Sequence, residues 1–286
     1  MARPKIRALL IDISGTLMLG SAPTQRAVQA LATLRRHGFP FRFCSNTSQE
    51  STSVLQKRMV EAGFDMQGGD SQELWTSLNA VQRHIQRRGL KRPYFLLSDA
   101  AKDECISAGL YDPSVRYDAV IVGFAPALMD YSHLNTAFRI LVGEEDSQKG
   151  MGSEDPGTIP LIALHKARYI ESSGHGHVLG PGPFVAALER ATDREAEVLG
   201  KPSRGFFETV IESLESDREG RIAVIGDDVE TDLGGGAIEL CLWRILVKTG
   251  KYRGGDESRE GVIGPDEVYE SFAEFVDSLG LDCGSV

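Results

Sequence analysis

No C-x-x-C pair occurs in this chain, and only four cysteines, Cys44, Cys105, Cys241 and Cys283, are spread over its 286 residues. Paired-cysteine zinc sites are thereby excluded, and so few thiols in so long a chain do not make a disulfide framework. Long apolar runs are missing too. The least polar stretch, "AVIVGFAPALM" at 119–129, is far short of a membrane span. The basic start "MARPKIRALLID" meets Asp12 before its apolar segment reaches the length of a signal peptide. Positive charge is in deficit, with 31 Lys and Arg against 41 Asp and Glu and a net charge of −10. A general nucleic-acid binder needs basic stripes, whereas a small anion needs only a local positive site. The expectation is a reduced, soluble protein of the cytoplasm, nuclear entry left open, with no membrane and no nucleic-acid partner.

What is present is alternation. Short β-branched runs fall at 7–12, 41–46, 94–99, 119–124, 161–166, 196–201, 222–227 and 243–248. Amphipathic stretches lie between and after them, near 24–37, 49–63, 71–88, 131–142, 183–192, 204–216, 230–240 and 267–279. Several of the short runs are apolar throughout, as strands covered by helices on both faces must be. This alternation predicts an α/β fold with parallel strands. The segment 143–158, "GEEDSQKGMGSEDPGT", is acidic and nearly free of apolar residues, and predicts a flexible surface loop.

In open α/β sheets, ligands bind outside the carboxyl ends of the strands. The polar residues there are Asp12, Ser45 with Asn46, Asp99, Lys201, and Asp227 with Asp228. An Asp at such a point is often only the cap of the next helix. Together, however, the residues form an acid, a hydroxyl–amide pair, a lysine and an acidic cluster. In "DISGT", Gly15 permits a tight turn beside Asp12. "CSNTS" places small polar residues at a helix N-terminus, a ready anion site. "GKPS" sets Lys201 on a turn before a helix. "GDDVETD" supplies Asp227 and Asp232, carboxylates suited to Mg²⁺ with phosphate and waters.

In their order, these four motifs resemble those of the haloacid dehalogenase (HAD) superfamily of phosphohydrolases. The insertion between the second and third motifs is similar to the large cap of its NagD-like branch. "LLIDISGTL", "LIALHKARY", "LGPGPFVAALE" and "LVKTGKYR" extend the likeness over nearly the whole chain. The resemblance implies a Rossmann-like parallel-sheet core, 1–90 with 196–286, and an inserted α/β cap of the C2 type, 91–195. It implies Asp12 as the nucleophile that forms an aspartyl-phosphate. Mg²⁺ would be held by Asp12, the Ser14 carbonyl and Asp227. Ser45 and Asn46 would grip phosphoryl oxygens, and Lys201 would neutralise charge. Asp232 would position Lys201 or water from outside this set, and Asp228 is either a surface residue or a similar outer acid. The implied substrate is a small phosphorylated molecule or a phosphoprotein side chain, and the branch suggests a homodimer through the cap.

Ser14 departs from the pattern, because most of the superfamily has an acid there that protonates the leaving group. A serine hydroxyl does not titrate near neutral pH. Good leaving groups are therefore expected to be favoured: pyrophosphate, P–N phosphoamidates and aryl phosphates. The competing reading is a phosphate-binding scaffold that kept the fold and lost turnover; a third is a phosphotransferase. The basic residues of "HKARY" (165–169) read either as contacts for an anionic or aromatic substrate or as solvated side chains at a strand end, and those of "KTGKYR" (248–253) either as the rim of the site or as solvated, the solvated reading being preferred for both.

Overall fold

The computed structural model describes residues 3–66, 73–106, 111–144, 159–172, 176–214 and 219–281. The chain opens with β1 (Ile6–Asp12), a small antiparallel ribbon of β2 (Met18–Leu19) and β3 (Ala22–Pro23), and α1 (Ala27–Arg36). Next come β4 (Phe41–Ser45), α2 (Thr52–Glu61), β5 (Leu74–Thr76) and α3 (Ser77–Arg88). A second layer follows: β6 (Pro93–Leu96), α4 (Asp99–Ile106), β7 (Ala119–Val122), α5 (Tyr131–Leu141) and β8 (Leu161–Ala163). It continues with the hairpin β9 (Tyr169–Ser172) and β10 (Gly176–Leu179), then α6 (Gly182–Thr192) and β11 (Glu197–Val198). The chain returns through α7 (Arg204–Glu212), β12 (Arg221–Gly226), α8 (Gly236–Glu239), β13 (Trp243–Val247), β14 (Glu267–Tyr269) and α9 (Phe272–Ser278).

Two parallel sheets result. The larger has the order β14-β13-β12-β1-β4-β5, and the smaller β11-β8-β7-β6. β1 is central, and its run "ALLI" has no polar face because both faces are covered. Leu9 and Ile11 pack with Leu31, Met59 and Phe275 on one side. Ala8 and Leu10 pack with Phe207, Val210 and Ala237 on the other. Each fully buried Leu or Ile contributes about 1.5–3 kcal/mol relative to exposure, which is what holds a polar-ended strand in mid-sheet. In the smaller sheet, Ile121 and Ile162 pack with α3 and α4, while Val120 and Leu161 pack with α5 and α6. The expected architecture, a parallel-sheet α/β core with an inserted α/β layer, is the one observed.

Local expectations needed correction. The stretch 71–88 is not all helix: Leu74–Thr76 form the edge strand β5, and Thr76 then caps α3 by accepting from the Asn79 N–H, while 71–72 lie outside the described residues. The stretch 267–279 likewise opens as β14, because Glu267–Tyr269 pairs with β13 before Ser271 caps α9. The strand expected over 196–201 shortens to β11 and pairs with β8 of the smaller sheet. Within 230–240 only Gly236–Glu239 is helical. Asp99 does not end a strand; it is exposed in the first turn of α4. The hairpin β9–β10 has no counterpart in the sequence reading. Of the expected loop 143–158, residues 145–158 lie outside the described residues, as does Cys283.

Candidate active site

Three neighbouring strands of the large sheet, β4, β1 and β12, end side by side, and their register sets the polar residues at one edge. Asp12 pairs across to Cys44, so Ser45 follows one residue on. Gly226 ends β12, and Asp227 follows. Asp12, Asp227 and Asp232 bring carboxylate oxygens within 4.8 Å of one another, all buried. Lys201 reaches them from the turn after β11 and is 1% exposed. Its Nζ donates to Asp12 Oδ1 at 2.5 Å and to the Cys44 carbonyl at 2.9 Å, and pairs with Asp232 Oδ1 at 2.8 Å. An ammonium has three protons, so Lys201 is fully engaged.

Two glycines shape the cluster. Gly15 (φ 96°) and Gly250 (φ 55°) both lie in the left-handed region. A Cβ on Gly15 would fall 1.9 Å from Asp227 Oδ2, and one on Gly250 would fall 2.0 Å from the same atom. The Asp227 carboxylate thus sits in a slot that only glycines leave open, and Oδ2 accepts the Lys251 main-chain N–H at 2.6 Å. Gly250→Ala is therefore expected to displace Asp227 and lower kcat/KM by about tenfold or more, since small misplacements of reacting groups are costly. Gly254→Ala, whose Cβ meets nothing within 4 Å, is the control and should be neutral. Equal activity of the two variants would refute the slot.

The charges do not balance without a further cation. Burial, then the Asp232 charge, pushes the Asp12 carboxyl up to about 6 against the pull of Lys201. Burial and the Asp12 and Asp232 charges raise Asp227 as well. Burial opposes the Lys201 charge, but Asp12 and Asp232 outweigh it and hold the ammonium protonated well above its usual range. Asp12 Oδ2 is buried with no hydrogen-bond partner. An orphaned carboxylate oxygen beside two more acids fits a hard divalent cation with oxygen ligands.

The site opens into a cavity of about 870 Å³ lined by Asp12, Ser14, Ser45, Asn46, Lys201, Asp227 and Asp232. Every candidate except Asp99 and Asp228 is brought to it. Asp228 instead caps the following turn, its Oδ1 accepting from the Glu230 and Thr231 N–H groups. The Asn46 side chain is committed elsewhere: Oδ1 accepts from the Lys201 N–H at 2.9 Å, and Nδ2 donates to the Lys201 carbonyl at 2.8 Å. It holds the lysine turn, so the amide left for an anion is the main-chain one.

For two of the basic residues the site-lining reading holds and the preferred solvated one does not. Lys251 lines the cavity and lies 3.5 Å from Asp228 Oδ2. His165 is buried beside Ser48, with Nε2 at 3.5 Å from Oγ. Their signal was position, since "KTGKYR" follows the apolar run of β13 and His165 follows β8. Lys166 and Arg168 do turn outward, to Glu189 at 2.8 Å and Glu230 at 2.7 Å.

The cavity thus sets carboxylates and a buried lysine at the strand ends of a parallel sheet, beside a second α/β layer. Comparison with known proteins specifies the class. A family model described as haloacid dehalogenase-like hydrolase matches residues 9–111, and a HAD-hydrolase-like model matches 198–275. The chain is 38% identical over 280 residues to rat haloacid dehalogenase-like hydrolase domain-containing protein 2, covering 97% of each. It is 33% identical to human phospholysine phosphohistidine inorganic pyrophosphate phosphatase, covering 96% of this chain and 94% of that one. Among solved structures, 4-nitrophenylphosphatase from Thermotoga maritima superposes with a TM-score of 0.80 at 25% identity, covering 96% and 97% of the two chains. NagD from E. coli K-12 shares the fold, with a TM-score of 0.74 at 23% identity over 94% and 98%. The chain belongs to the haloacid dehalogenase-like hydrolase family.

No helix among the described residues is long and apolar enough to cross a membrane.

Proposed function

We propose that the protein is a Mg²⁺-dependent phosphohydrolase that works through an aspartyl-phosphate on Asp12. The observation that carries this reading is the buried triad of Asp12, Asp227 and Asp232 around Lys201, with one Asp12 oxygen unpartnered. A scaffold would have no use for so costly a cluster of buried charge.

The Asp12 carboxylate attacks phosphorus, and the bond from phosphorus to the leaving group breaks with its electron pair on the leaving group. Water then attacks the phosphorus of the aspartyl-phosphate, releasing phosphate and a proton and restoring the carboxylate. Lys201 offsets charge on Asp12 and on the transferring group. Ser45 and the main-chain N–H of Asn46 supply donors to phosphoryl oxygens. Asp232 fixes Lys201, with which it is paired at 2.8 Å. Mg²⁺, held by Asp12, the Ser14 carbonyl and Asp227, would supply the positive charge that lets two anions meet. The large-sheet layer, 1–90 with 196–286, acts as the core, and 91–195 as the cap that excludes water. Helix α3 and strand β11, which fall within the core bounds, pack with the small sheet.

The test is phosphate release from pyrophosphate, a phosphoimidazole, an aryl phosphate and an alkyl phosphate, with and without Mg²⁺. Release that needs Mg²⁺ and is fastest with good leaving groups supports the proposal. Phosphate binding with no release from any of the four favours the scaffold.

The pKa directions add a metal prediction. Asp12 and Asp227 are raised above ordinary carboxylate values, so in the metal-free protein they stabilise the fold at low pH, and that contribution is lost as pH rises, for Asp12 through about 6. A divalent cation must displace those protons. Mg²⁺ should therefore raise Tm by several degrees at pH 7 and much less at pH 5, as read by thermal unfolding at both. No Mg²⁺ effect at pH 7 would sink the metal assignment.

A further inference from the structure

Floor and roof of the cavity differ in chemistry. The floor is the polar set at the strand ends of the large sheet. The roof, drawn from residues 124–184, consists of Phe124, Met129, Ile170, Val178, Leu179 and Phe184, with Pro126, Ala167 and His165 beside them. The cations lining the cavity, Lys201, Lys251 and Arg58, all belong to the floor side. Each already faces an acid: Lys201 meets Asp12 and Asp232, Lys251 meets Asp228, and Arg58 meets Glu50. Lys166 and Arg168, the cations nearest the roof in sequence, are paired with Glu189 and Glu230 and do not line the cavity. Among the described residues, His165 is the one titratable group the roof contributes to the lining. Burial, reinforced by Lys251 and Lys201, lowers its pKa to about 3, so it is neutral at physiological pH.

We infer that the preferred substrate is the phosphate ester of an uncharged, aromatic or otherwise apolar hydroxyl compound, and that the roof rejects leaving groups carrying a second anionic charge; this rests on the phosphatase reading above. With the phosphoryl group at Asp12 and Lys201, the leaving group lies against the roof. An apolar one sheds water there and gains contact. An anionic one loses hydration and meets no cation among the described lining residues of the roof. Of the good leaving groups that Ser14 favours, the roof selects phenols over the second phosphate of pyrophosphate. In this respect the chain differs from the pyrophosphatase activity named for its 33%-identical human relative.

The discriminating pair is 4-chlorophenyl phosphate and 4-carboxyphenyl phosphate, whose phenols are of closely similar acidity, with pyrophosphate as a third substrate. In saturating Mg²⁺, kcat/KM should favour the chloro ester by about tenfold or more over both others, chiefly through KM. Leu179→Lys changes a side chain that is 63% exposed, so the fold should tolerate it. It should reduce the chloro-to-carboxy ratio at least fivefold. Equal kcat/KM for the two esters, a preference for pyrophosphate, or an unchanged ratio in Leu179→Lys overturns the inference. Should no substrate release phosphate, the phosphatase reading itself fails. The roof is then read from binding of 4-chlorophenylphosphonate and 4-carboxyphenylphosphonate: tighter binding of the chloro compound supports its selectivity, and equal affinity refutes it.

Discussion

Asp12→Asn should abolish Mg²⁺-dependent phosphate release, with a loss of about 10⁴-fold or more, as expected when a covalent nucleophile is removed. The fold should survive. Asn keeps the shape of Asp and an oxygen for the Lys201 proton that Asp12 Oδ1 now accepts at 2.5 Å. Because the Asp12 carboxyl is raised to about 6, its ionised form at pH 7 is held less well by the folded protein than by the unfolded chain. Neutral Asn removes that penalty, so metal-free Tm at pH 7 should be unchanged or slightly higher. Lys201→Met would act differently. It leaves Asp12 and Asp232 buried without the cation they share, a loss of about 3–5 kcal/mol in stability for a broken buried pair. Phosphate release and thermal unfolding on both variants separate the roles. A stable Asp12→Asn protein with turnover intact would remove Asp12 as nucleophile.

The sequence made the large sheet legible because its central strands are buried on both faces. "ALLI" in β1 and "IAVIG" in β12 cannot be confused with amphipathic elements, and the residues that end them mark the site. β14 and β5 were hidden for the complementary reason. Edge strands of three residues expose one side, and their apolar positions merge with the periodicity of the helix that follows. The strands of the hairpin β9–β10 are short and β10 is largely exposed, so burial left no pattern to read there. Asp12, Ser45, Lys201 and Asp227 were visible because each follows a strand in the order the family uses. Lys251 and His165 also lie in the turns that follow strands, but their side-chain type has a common solvated explanation, and only tertiary packing decides. The same holds for Asn46. Its side chain is tied to the Lys201 backbone across 155 residues of sequence, a pairing that no local spacing reveals.

Ser14→Asp should raise kcat/KM on alkyl phosphates by about 10²-fold or more, within the range that general acid–base catalysis provides. The backbone there is held by contacts that the substitution leaves alone: Gly15 N–H donates to the Met18 carbonyl at 2.7 Å, and Ser14 bridges to Met18. The side chain is exposed and lines the cavity two residues from Asp12, so an aspartate fits without repacking. A metal-ligating carbonyl at this position does not depend on the side chain. An alkoxide leaves poorly without a proton, and the serine hydroxyl cannot deliver one near neutral pH. A carboxyl added next to the three existing acids would be pushed above its usual pKa by like charge, toward the range in which it can donate. An aryl phosphate, which leaves as a stabilised phenolate, should gain far less. The informative measurement is therefore the ratio of alkyl to aryl kcat/KM in wild type and variant, with Mg²⁺ binding checked for both. A variant that folds, binds Mg²⁺ and leaves that ratio unchanged would show that Ser14 does not limit turnover. A ratio that rises about a hundredfold would show that one side chain restricts this enzyme to easy leaving groups.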